Sequence, residues 1–154
     1  MIAMAILLEE FDWVENFIET SSDLLEKKYR KQTISFNLAR LEYARKNYNA
    51  AMLHLQNAEY KDLVNNLIAK SLLIKIYFEL EEYDLLFSHL DSFQIFIRRR
   101  EVSDFHRKNF MSIIRFLKKI VRLPEMDKKG RKALRKEIES EEVLSERDWL
   151  LSKI

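Results

Sequence analysis

The sequence predicts an all-α protein built from antiparallel helix pairs, and three observations carry that prediction. The 154 residues include one glycine and one proline, Gly130 and Pro124, where average usage gives roughly ten and seven or eight. Tight turns between strands draw on residues that tolerate positive φ, above all glycine. A chain this poor in both is therefore read as long helices joined by short polar connections. Second, 47% of residues are hydrophobic and 34% charged, which excludes a disordered or collagen-like chain and allows one domain with a buried core. Third, the chain matches itself at a shift of 35. That shift lays Leu38 on Leu73, Arg40 on Lys75, Leu41 on Ile76, Tyr43 on Phe78, Tyr48-Asn49 on Tyr83-Asp84, and His54-Leu55 on His89-Leu90.

The repeat sets the order of elements. A weaker copy lies upstream, with Phe11-Asp12 standing 37 residues before Tyr48-Asn49. At each junction an aromatic is followed by Asp or Asn, a side chain expected to cap the next helix. The first full copy predicts helices over 33–46 and 48–60, the second over 65–80 and 83–97. Helices of this length with such short links pack as antiparallel neighbours. One pair cannot bury both of its apolar faces, so successive pairs must stack into a solenoid. Beyond the second pair the period stops. A helix over 103–123 starts on Ser103 as N-cap and ends before Pro124. Another follows over 127–140 with Asp127 as cap, and a last one over 145–153 opens with a capping-box-like Ser145-Glu146-Arg147-Asp148. These three are expected to cap the open end of the stack. The predicted organisation is thus a repeat segment 1–100, comprising a partial pair 1–30 and pairs 31–61 and 65–98, with capping helices 101–154 in the same domain.

Within this frame the chain resembles the tetratricopeptide family, whose repeat is a helix–turn–helix with a sparse pattern of large and small positions. In the first copy Leu38-Ala39 corresponds to the family's Leu-Gly pair, and Ala51, Leu55 and Ala58 to its small, large and small positions. In the second copy Leu73, Tyr77 and Leu90 match, while Ile74, Leu86 and Phe93 replace small residues; both copies lack the closing proline. The resemblance covers about residues 8–97. The stretch Tyr77 to Arg98 and the ending Trp149-Leu150-Leu151 are also similar to the C-terminal part of bacterial tetratricopeptide proteins of unassigned function. The resemblance implies a right-handed α-solenoid and a non-catalytic scaffold that binds a protein or peptide partner on its concave face, lined by the first helix of each pair.

Two surfaces are candidates for that binding. On the first helices, Phe36, Asn37, Arg40, Tyr43 and Ala44 share a face, with Ser71, Leu72, Lys75, Phe78 and Glu79 as counterparts. A groove of Phe36, Asn37, Arg40, Tyr43, Lys75 and Phe78 suits an extended or helical peptide, the two cations meeting carboxylates. The same aromatics also suit simple packing between neighbouring helices. The second surface is basic. The formal net charge is only +2, yet residues 98–136 carry 15 basic and 4 acidic side chains, against 10 and 15 in residues 1–97. On the 103–123 helix Lys108, Arg115, Lys119 and Arg122 fall within about 60° of arc, counting 100° per residue. Arg98-Arg99-Arg100 precedes them and Lys128, Lys129, Arg131, Lys132, Arg135 and Lys136 follow. Such a band suits a polyanion or nucleic acid. Its alternative is a solvated face partly neutralised by Glu137, Glu139, Glu141 and Glu142. A third alternative is a purely structural end domain that oligomerises.

Catalytic chemistry finds little footing. The absence of cysteine removes disulfides, thiolate metal sites and cysteine nucleophiles together. His54 and His89 occupy one repeat position, which makes them architectural, and neither a His-Glu-x-x-His zinc motif nor the helical Glu-x-x-His of di-iron bundles occurs. A single glycine cannot build a phosphate-cradling loop or a nucleophile elbow. No enzyme, metal or cofactor is expected. No stretch reaches the length of a membrane span, and residues 1–8 lack the basic start of a signal peptide, so a soluble cytoplasmic protein is expected. Residues 1–10 read as the end of a first helix paired with Phe11 to about Ser21. Ile2, Ala5, Ile6, Leu7 and Leu8 lack an evident partner in the chain, which suggests either a fragment of a longer array or self-association through this end.

Overall fold

A computed structural model of the chain describes residues 1–56, 60, 62–123 and 127–154. Among these residues it is all-helical, with no strand. The chain divides into two compact units, Met1–Glu82 and Tyr83–Ile154. The division falls at the turn within the second predicted pair.

The first unit contains α1 (Ile2–Leu7), α2 (Phe11–Ser21), a 3-10 turn (Ser22–Leu24), α3 (Lys27–Ala44), α4 (Tyr48–Gln56) and α5 (Leu63–Glu79). Helix α3 begins six residues before the expected start. Its extra turn and a half, Lys27 to Gln32, is polar and carries no apolar period to betray it. Arg30 anchors this turn, donating to the carbonyls of Asp23 and Leu25 at 3.1 and 3.2 Å. Helix α4 is described to Gln56; residues 57–59 of the expected extension, with the small position Ala58, lie outside the described residues, and Tyr60, the expected last residue, is not helical.

Helix α3 is the centre of this unit because it is apolar on two opposed faces. Ile34, Leu38 and Leu41 join Val14 and Ile18 of α2 and Ile2, Ala5 and Ile6 of α1 in one cluster. Phe36, Ala39 and Tyr43, on the opposite side of the wheel, join Ala51 and Leu55 of α4 and Ala69, Leu72 and Ile76 of α5 in another. Ala39, Ala51 and Ala69 are all buried, and small side chains at such contacts let helix backbones approach closely. Helix α3 accordingly packs against α1, α2, α4 and α5. The N-terminal expectation is corrected in part: Ile2, Ala5 and Ile6 have intrachain partners, and it is Met1, Met4, Leu7 and Leu8 that stay exposed. Helical spacing splits this apolar run between a packed side and an outer one.

The junctions share one geometry. Glu9, Lys46 and Glu81 have φ of 58°, 63° and 58°. At each, the left-handed residue donates to the carbonyl three before it, and the next residue to the carbonyl five before it: Lys46 to Tyr43 and Asn47 to Glu42, with Glu9–Ile6, Glu10–Ala5, Glu81–Phe78 and Glu82–Tyr77 as equivalents. This is the Schellman closure of a helix C-terminus, repeated at the spacing seen in the sequence and without glycine. The expected side-chain caps are not what closes these turns. Glu10 is the N-cap of α2, without a side-chain bond, while Asp12 and Asp84 lie inside the first turns of α2 and of the helix that follows residue 82. They stand two residues past the cap position, though their charge still favours a helix N-terminus.

The second unit contains α6 (Tyr83–Arg99), α7 (Asp104–Arg122), α8 (Lys128–Ser140) and α9 (Arg147–Leu151). Helix α6 buries Leu86, Leu90, Phe93 and Ile97, a single stripe at four- and three-residue steps. It packs on α7, where Phe93 meets Phe110 with ring centroids 5.7 Å apart. The Ser103 hydroxyl caps α7 by accepting from the His106 N–H at 3.4 Å. That helix ends at Arg122 with Leu123 extended (ψ 122°), as a residue before proline prefers; Pro124 itself falls outside the described residues. Asp127 caps α8 by accepting from the Gly130 N–H at 2.7 Å. A Cβ on Gly130 would lie 2.8 Å from the Leu123 side chain, so this glycine serves close approach rather than a turn. The expected capping box at Ser145 does not form. Glu146 is the N-cap of α9, and Ser145 is instead held by the buried Asn109, which donates to its hydroxyl at 3.0 Å and accepts from its N–H at 2.7 Å.

Candidate functional site

The six predicted groove residues lie on α3 and α5 of the first unit, and each is half-buried. Phe36 and Tyr43 pack on the α3–α4–α5 cluster. Phe36 meets Tyr60 edge-on at 6.2 Å, and Tyr43 meets Tyr48 at 5.4 Å. The aromatics thus serve mainly as the wall that joins α3 to its neighbours. The cations lie over them: the Arg40 guanidinium is 5.8 Å from the Phe36 centroid and the Lys75 ammonium 5.1 Å from that of Tyr43. The Tyr43 hydroxyl donates to Glu79 Oε1 at 3.3 Å. A polar ladder therefore crosses from α3 to α5, and sequence comparison by repeat could not show it, because Tyr43 and Glu79 lie on different copies. Burial raises the pKa of Tyr60 to about 12, and its hydroxyl has no hydrogen-bond partner among the described residues.

The basic stripe lies on α7 in the second unit, and the structure pairs much of it. Arg115 binds Glu141, and Lys119 donates to Glu137 at 2.5 Å. These two bridges run antiparallel, four residues apart on each helix, and bind α7 to α8. Lys118, on the border of the stripe, donates to Asp91 of α6 at 2.5 Å; that bond holds the Asp91 carboxyl below its usual range, helped by Arg122. Arg122 also lies 5.1 Å from the Phe87 ring centroid. Lys108 is exposed at the other end. Between α7 and α8 the same residues rim an open cleft of about 930 Å³ floored by Met111, Ile114, Leu123, Ala133 and Leu134. The stripe is a scaffold of interhelix bridges over an apolar floor more than an open row of cations. Only the acids Glu137 and Glu141 gave a signal of this in the sequence.

No family profile, characterised protein or solved structure matches this chain. Among the described residues no three His, Asp or Glu side chains gather as a metal-holding group, and no helix is long and apolar enough to cross a membrane.

Proposed function

We propose that this chain is a non-catalytic interaction scaffold of the tetratricopeptide type, a right-handed stack of helix pairs that binds a protein or peptide partner on the face formed by α3 and α5. The observation that carries this is the two-sided packing of α3. It meets α2 on one side and α5 on the other while pairing with α4, which is what an inner layer of a stacked array must do. The Schellman turns at Glu9, Lys46 and Glu81 support the same register. On the α3–α5 face, Arg40 and Lys75 sit above an aromatic wall with Asn37 beside them, a setting for an acidic peptide whose carboxylates meet the two cations. The paired state of Arg115, Lys118 and Lys119 makes the α7 stripe the weaker surface for a ligand.

A peptide-display selection on the purified chain tests this. Peptides rich in Asp and Glu are expected to be enriched, and Arg40→Glu with Lys75→Glu should remove their binding while Lys108→Glu leaves it intact. Selection of no peptide, or equal binding by the double variant, refutes the proposal.

A further inference from the structure

Four exposed lysines on the outer side of α8 are left unbridged, and we infer that this face docks into the groove of double-stranded DNA by phosphate contacts, without reading sequence. Helix α8 is divided by its partners. Leu134 and Ile138 are buried, Glu137 and Glu141 flank them and are spent on Lys119 and Arg115 of α7. Removing those carboxylates from the helix's charge balance leaves Lys128, Lys129, Lys132 and Lys136 together on the opposite side, in about 100° of arc and about 12 Å of axis. All four are exposed, and no ion pair or hydrogen bond among the described residues engages them. Arg135 borders the face but bonds the carbonyls of Leu151 and Ile154 at 3.3 and 3.0 Å. Glu139 is the one acid within it.

Shape selects among polyanions. A cation arc that wraps a helix meets phosphates on both walls of a B-form major groove, which is about 12 Å wide and admits an α-helix. A flat anionic bilayer reaches only the crown of that arc. Stable membrane docking also calls for apolar side chains that enter the interface, and those of α8 are buried in the protein. The face carries no aromatic to stack on bases and no Asn or Gln to pair with adenine, and its flexible lysines meet phosphates of any sequence as point charges.

The test is retention of the full chain on a mixed-sequence DNA duplex. Four phosphate contacts give a slope of log affinity against log salt of about −3.6, a loss of about 150-fold between about 50 and 200 mM salt. Lys128→Gln, Lys132→Gln and Lys136→Gln together should cut affinity at low salt by roughly 100-fold and bring the slope to about −0.9. The same charge loss in the first unit, Lys27→Gln, Lys28→Gln and Lys31→Gln, should leave both unchanged. Circular dichroism of each variant confirms that the helices persist. The inference is overturned by no duplex retention, by equal loss in the two triple variants, or by capture on phosphatidylserine vesicles in place of duplex.

Discussion

Leu41→Ala tests whether α3 is an inner layer. Leu41 is fully buried and projects from α3 into the cluster formed with Val14, Ile18, Ile34 and Leu38. Ala39, two residues away, faces the other cluster, so the substitution acts on one side of the helix only. Deleting a buried leucine side chain costs about 2–5 kcal/mol, the spread reflecting how far the site collapses. Helix α1 is six residues long and can settle inward, which places the expected loss near the lower middle, at about 3 kcal/mol. With a urea m-value of about 1.5 kcal/mol/M, the transition midpoint falls by about 2 M. The reporter is Trp13, which stacks on Phe17 of α2 at 5.0 Å, measured in a Trp149→Phe background so that the second unit is silent. A loss under about 1 kcal/mol is what a half-exposed leucine gives. It would refute the two-sided packing, and with it the stacked-pair proposal.

Three further outcomes are expected. Lys46→Gly should raise stability by about 0.5 kcal/mol, because relief of the left-handed φ outweighs the glycine's added freedom in the unfolded chain; Lys46→Val should lower it, and urea titration reads both. Asn109→Ala should cost about 2 kcal/mol by leaving the Ser145 N–H without its acceptor, and should speed amide exchange at Ser145 measured by NMR. Tyr60→Phe removes a buried hydroxyl with no hydrogen-bond partner among the described residues and should stabilise the protein by about 1 kcal/mol at neutral pH. Because the folded pKa of Tyr60 is raised to about 12 from a free value near 10, the wild type loses this residue's contribution as pH climbs between about 10 and 12. The Phe variant should lack that component of alkaline destabilisation, as followed by melting temperature against pH.

Much of the helical plan was legible along the chain. The scarcity of Gly and Pro excluded strands, the 35-residue shift located α4 and α6 to their first residue, and Ser103 and Asp127 marked the starts of α7 and α8. These are local properties: a cap or a turn is closed by residues within one or two turns of each other. The start of α3 was missed for the converse reason, since a solvated turn of Lys, Tyr, Arg and Gln carries no periodic signal.

Which side chains meet was decided by tertiary structure. The sequence showed a cationic stripe at Lys108, Arg115, Lys119 and Arg122 and named the nearby glutamates as one possible balance. It could not say that Glu137 and Glu141 meet Lys119 and Arg115, because the pairing depends on how α7 and α8 lie against each other. The same holds for Asn109 and Ser145, and for Tyr43 and Glu79, each pair 36 residues apart. Helical periodicity determines what lies on one face of one helix. Packing then determines which face is spent on a neighbour: it spent Arg115 and Lys119 of the α7 stripe on bridges and left four lysines of α8 exposed.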